Sequence, residues 1–254
     1  MLYIGIALIT YVLIIAFPVY LFTKDLLVIR VVELSLRVAY LAFIIVFSIL
    51  TKLAKSFTGQ TKFSNLFLLL PLFFVAFTNI FYLGVIKGTV TAFNPFTDAI
   101  NALRFVSLMV ACVEAEILFR FIIQKNITLG HKIVRILVAA AIYAITYISV
   151  TFYSEMTINP ETQSIVFMAP IDLFEAVFQF GIGIILGFLY EYTNNLVVPI
   201  AFSVIHTISN QIIFPLRLSN NPDWPYYVTI SLMGVFAAAY LCIFYFLMLK
   251  KENR

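Results

Sequence analysis

Eight stretches of this 254-residue sequence are long, apolar and nearly free of charge, and a chain built that way must satisfy its backbone polar groups inside a hydrocarbon layer. A helix crossing a core about 30 Å thick needs about 20 predominantly apolar residues. By that measure spans are expected at 2–22, 36–50, 66–86, 99–123, 133–153, 172–190, 195–214 and 227–249, the second being short. The sequence therefore predicts an all-α fold, a polytopic integral membrane helical bundle of about eight transmembrane helices. No internal repeat or low-complexity stretch divides it, so a single membrane domain over 1–254 is expected. The first segment has no basic residue ahead of its apolar run and no small-residue cleavage site before Lys24, which reads as a retained span.

Composition closes off other classes. Hydrophobic residues make up 63% and charged residues 11%, against about 25% charged in soluble domains. A net charge of +4 spread over such a chain is too dilute for a nucleic-acid surface, so no nucleic-acid partner is expected. Both cysteines, Cys112 and Cys242, fall in apolar runs, which suggests neither a disulfide framework nor a cysteine-based zinc site.

Positive charge sets orientation. With both termini cytoplasmic, the inner set holds Lys52, Lys55, Lys62, Lys125, Lys132, Arg135, Lys250, Lys251 and Arg254, and the outer set Lys24, Arg30, Arg37, Lys87 and Arg217. The loop from Ser154 to Ile171 carries Glu155 and Glu161 with no Lys or Arg, as an external loop should.

Ionisable residues inside spans are costly, and by default they mark function. Glu114, Glu116 and Arg120 lie in the fourth span, and His206 and Asn210 in the seventh. At 1.5 Å per residue the two acids lie about 10 to 14 Å and His206 about 16 Å from the cytoplasmic ends of their helices, a common layer. Glu116 and Arg120 are four apart and can pair on one face, as can His206 and Asn210. Glu114 is about 200° around the helix from Glu116, so at most one acid can be central to a site. Against catalysis stand a self-satisfied buried ion pair for Glu116 and Arg120 and interhelical hydrogen bonding for His206 and Asn210. In the sixth span, Gly183 and Gly187 form a small-residue packing face. Glu175 and Gln179 lie near that span's outer end, either facing a cavity or snorkelling to the interface.

The run Glu116-Ile117-Leu118-Phe119-Arg120, then Gly187-Phe188-Leu189-Tyr190-Glu191-Tyr192-Thr193, then His206-x-x-x-Asn210 resembles the CPBP family. That family joins CAAX-type prenyl-protein endopeptidases with bacterial bacteriocin-processing and self-immunity (Abi) membrane proteins. The resemblance covers 99–214. The family pattern is Glu-Glu-x-x-x-Arg, Phe-x-x-x-His and His-x-x-x-Asn. Here Glu116 and Arg120 match the second Glu and the Arg, and His206 and Asn210 match the third part. Ala115 stands where the first Glu belongs, with an acid one place earlier at Glu114, while Tyr143 and Tyr147 stand for the Phe and His of the second part.

What the resemblance implies is an intramembrane endopeptidase acting on a membrane-associated protein or peptide. Glu116 or Glu114 would be the base, His206 and Asn210 the oxyanion donors, and Tyr147 a further donor. It also implies residence in the bilayer, by its bacterial branch the bacterial cell membrane. No cofactor is expected: catalytic zinc wants three protein ligands, and only His206 is an imidazole at depth, with Glu114 or Glu116 and Asn210 to complete a set. A divalent metal such as zinc stays an open alternative. Two rivals stand beside the enzyme: a catalytically degenerate scaffold or bacteriocin self-immunity protein, and an ion or solute pathway, for which no paired broken helices are evident.

Overall fold

The computed structural model describes residues 2–15, 17, 19, 22–50, 98–128, 130–154, 156–158, 165–167, 173–207, 235, 239–243 and 245–246. The expected span at 66–86 lies outside these residues, as do Asn210 and most of the expected span at 227–249. The helices described are α1 (Leu2–Ile15), α2 (Leu26–Leu50), α3 (Ala99–Glu116), a π-helical continuation of α3 (Ile117–Gln124), α4 (Lys132–Ser154), α5 (Leu173–Thr193) and α6 (Val197–Thr207).

The fold is helical, with one departure from the all-α expectation. Within the loop expected to be external, Met156–Ile158 pairs antiparallel with Ile165–Phe167, Thr157 opposite Val166. Both runs carry the β-branched residues that favour a pleated ladder. Two helical stretches, Leu26–Leu50 and Ala176–Thr193, are long and apolar enough to cross a membrane by length and composition, and large side chains such as Val38, Val46, Ile49 and Leu50 stand exposed along the first.

The second helix corrects the sequence reading. It starts ten residues before the expected 36, where Asp25 Oδ1 accepts from the Leu27 amide at 2.9 Å as an N-cap. Arg30, expected ahead of the second span, and Arg37, expected at its outer end, both lie well inside this helix. Their charges are compensated in place: Arg30 pairs with Glu33 one turn on at 2.7 Å, and Arg37 pairs with Glu114 of α3. Paired charges let an apolar helix continue where a hydropathy count ends it.

Two buried clusters carry the packing. Ala7, Tyr11, Tyr40 and Ile44 of α1 and α2 meet Ala115 through Ile123 of α3 and its π segment. Ile136 and Ala140 of α4 meet Ile182 through Leu189 of α5, with Phe202 of α6 and Tyr240. The α4 to α5 contact is the most extensive in the fold, and glycine makes it possible. A Cβ on Gly183 would stand 3.0 Å from Ala140 Cβ, and one on Gly187 would stand 2.8 Å from Ile136 Cγ2.

The turn from α5 into α6 is compact. Asn194 takes a left-handed backbone (φ 51°) and its amide bonds Tyr190 O at 2.8 Å, closing α5, while Asn195 Oδ1 accepts from the Val197 amide at 2.9 Å, opening α6. α6 therefore returns alongside α5 and reaches α3.

Candidate active site

The fourth span supplies the acids. Asp98 caps α3 by accepting from the Asn101 amide at 2.7 Å, and the helix runs regularly to Glu116. From Ile117 to Gln124 it widens into a π-helix, a rare form frequently found at functional sites. Glu114, Glu116, Arg120 and Gln124 are all fully buried.

The two acids serve different faces. Glu114 Oε2 accepts from Arg37 Nη1 of α2 at 3.2 Å. Spacing along α3 offers Glu114 no cation, and the structure supplies one from another helix. Glu116 Oε2 accepts from Arg120 Nε at 3.3 Å. In both carboxylates Oε1 is buried without a hydrogen-bond partner, and so is Arg120 Nη2.

From Arg120 a polar chain runs through the core. Arg120 Nη1 donates to Gln124 Oε1 at 3.5 Å, and Gln124 Nε2 donates to Gly187 O at 3.0 Å and to Glu191 Oε2 at 3.3 Å. Arg135 Nη2 of α4 donates to Glu191 Oε1 at 2.5 Å. Tyr143 backs the guanidinium, its ring centroid 5.6 Å from Arg120 Cζ, and its hydroxyl donates to Gln179 Oε1 at 3.3 Å. Gln124, Arg135 and Glu191 were not among the residues expected at the site. The available signal was a Gln one helical turn beyond Arg120, at the spacing already used for Glu116.

α6 meets the Glu116 face of α3. Cys112, one turn before Glu116, has its Sγ 3.2 Å from Thr207 Oγ1 and 3.7 Å from Ser203 O. The Ser203 side chain reaches the Glu116 carboxylate. His206 is buried, its ring 5.8 Å from Phe178 of α5 and 6.3 Å from Phe202. Glu116, Arg120, Tyr143, Gln179, Ser203 and His206 thus belong to one junction of α3, α4, α5 and α6. Glu114 faces α2 instead, and Tyr147 is half-buried on α4, one turn beyond Tyr143. Among the described residues no group of three or more His, Cys, Asp and Glu is arranged to hold a metal ion.

Residues 98–212 match the family model described as Rce1-like, Type II CAAX prenyl endopeptidase Rce1-like. Over this segment, somewhat under half of its length, the chain is similar to the CPBP/CAAX protease family. Curated proteins and solved structures gave no match. CPBP/CAAX proteases are integral membrane proteins, in keeping with the apolar helices here. The matched segment begins at the cap of α3 and takes in every side chain of the junction, and Arg37 lies outside it. At the family's first-Glu position, Ala115 is buried in the apolar cluster with Tyr11 and Tyr40.

Proposed function

We propose that the chain is an intramembrane endopeptidase hydrolysing a peptide bond of a membrane-associated protein or peptide, as CAAX-type proteases do. The observation that carries the reading is the seam between α3 and α6, where Cys112 meets Thr207 at 3.2 Å and Ser203 reaches Glu116. The acid Glu116 and the imidazole His206 lie on the two helices of this seam, which supports the reading.

Glu116, with Glu114 the alternative, takes a proton from water as the water oxygen bonds to the scissile carbonyl carbon. His206 and Asn210 donate to the resulting oxyanion, with Tyr147 a further donor. The carboxyl group then returns its proton to the leaving nitrogen as the C–N bond breaks. Glu116 is the better base by position, since Glu114 turns to Arg37 on another face. Arg120 holds Glu116 in place. By the bacterial branch of the resemblance the protein resides in a bacterial cell membrane; the bias of Lys and Arg between loops supports both termini being cytoplasmic, with the site open to the cytoplasmic half.

A second reading is a degenerate member that binds a membrane protein or a bacteriocin-type peptide as scaffold or self-immunity protein. Ala115 and Tyr147 favour it, standing where the family pattern has Glu and His.

The test is purified full-length chain in lipid, given a farnesylated peptide ending in Cys-aliphatic-aliphatic-X. Cleavage is expected, lowered about 100-fold or more by His206→Ala, abolished by Glu116→Gln and retained by Glu114→Gln. Binding without cleavage supports the second reading. Neither binding nor cleavage overturns both.

A further inference from the structure

A side-on carboxylate–guanidinium pair normally closes through two parallel bonds, Nε to one oxygen and Nη2 to the other. At Glu116 and Arg120 only the first is made: Nε reaches Oε2 at 3.3 Å, while Oε1 and Nη2 are both buried and unpartnered. Ser203 of α6 also reaches this carboxylate. The group that pulls on the guanidinium from its other side is Gln124, which accepts from Nη1 at 3.5 Å. Gln124 is itself fixed by the Gly187 carbonyl at 3.0 Å and by Glu191, which Arg135 anchors in turn.

The backbone is shaped to this arrangement. The π-helical turns between Glu116 and Gln124 alter the rotation per residue, and so set how squarely residue 120 can face residue 116. Gly187 keeps the space clear, since a Cβ there would lie 3.0 Å from Gln124 Oε1 and 3.4 Å from Arg120 Nη1.

We infer that Gln124, anchored by Glu191, is a positioning residue that keeps the Glu116–Arg120 pair from closing, so that one buried acceptor and one buried donor stay available to a substrate. An adjacent acceptor and donor match a peptide unit, whose N–H donates to Oε1 and whose C=O accepts from Nη2. This role for the open edge rests on the endopeptidase reading. The hold exerted by Gln124 does not.

The experiment takes the full chain in lipid bilayers with isotope-labelled arginine and glutamate. Solid-state NMR measures the dipolar coupling between the Arg120 terminal nitrogens and the Glu116 carboxyl carbon, assigned by its loss in Arg120→Lys. Gln124→Leu should strengthen that coupling as the fork closes. The paired exchange Gln124→Glu with Glu191→Gln keeps an acceptor for Arg120 and the link to residue 191 while giving up the Gly187 bond, and should return the coupling toward the wild-type value. On the farnesylated peptide, Gln124→Leu should lower kcat about tenfold or more with KM little changed, and the exchange should restore it. A coupling that is the same in wild type and Gln124→Leu overturns the inference, and if Gln124→Leu does not fold, a wild-type coupling already as strong as a closed pair overturns it too. A wild-type chain that cleaves nothing, with the coupling changing as described, removes the endopeptidase reading and leaves the hold intact.

Discussion

Arg37 and Glu114 are separated by 77 residues of sequence and joined by a 3.2 Å ion pair between α2 and α3, with Glu114 wholly buried and Arg37 about one-fifth exposed. The contact crosses from outside the family-matched segment into it, and it ties the N-terminal helices to the one that carries the acids.

Removing one partner leaves a buried charge alone. Arg37→Leu should destabilise the protein by about 3 kcal/mol, the low end of the range for such pairs because Arg37 keeps some solvent contact. Arg37→Met combined with Glu114→Leu should lie within about 1 kcal/mol of wild type, as apolar replacements of buried pairs often do. Denaturant titration of wild type and these two variants in detergent gives both values.

Gly187→Ala should cost about 1 to 3 kcal/mol, since its Cβ would overpack Ile136 and the Gln124 amide at once. Gly5→Ala should instead stabilise α1 by up to about 1 kcal/mol, because nothing lies within 4 Å of the added carbon. Thermal melts of the two variants should therefore shift in opposite directions.

Tyr143 makes two separable contacts. Tyr143→Phe deletes only the hydroxyl bond to Gln179 and should cost about 1 kcal/mol. Tyr143→Leu also strips the ring from beneath Arg120 and from its edge contact with Phe119, centroids 5.1 Å apart, so the loss should reach roughly 2 kcal/mol or more. Stability measurements on both variants check the order.

Cys112 is buried against Ser203 and Thr207, whereas Cys242 is exposed. N-ethylmaleimide should leave Cys112 unmodified until the protein is denatured, with Cys242, whose exposed side meets lipid in the expected span 227–249, as the comparison thiol. Mass spectrometry of timed digests reads the order, and early labelling of Cys112 would contradict the α3 to α6 seam.

Much of the junction was legible because it is local. Glu116 and Arg120 are one helical turn apart, and so are Gly183 and Gly187, so spacing alone gives their shared face. That the fourth and seventh spans carry polar groups at one depth follows from rise per residue. The partner of Glu114 was not legible, because Arg37 is 77 residues away and spacing along one helix cannot pair it; the break before residue 36 reflects Arg30 and Glu33, whose mutual pairing a hydropathy window cannot see. Nor does residue pattern reveal that α3 continues as a π-helix, since apolar residues fill Ile117 to Ile123 whichever coil they adopt. The ladder at Met156–Ile158 escaped for another reason: three-residue strands fall below what alternation can signal.

The widened coil after Glu116 also bears on how related chains are compared. Four positions of sequence separation correspond to different angles in a tight spiral and a loose one, so two proteins spelling Glu-x-x-x-Arg alike can aim acid and guanidinium differently. In this chain the letters between Glu116 and Arg120 are no protractor, and a one-residue deletion in that stretch would re-aim the arginine with every motif residue still in place.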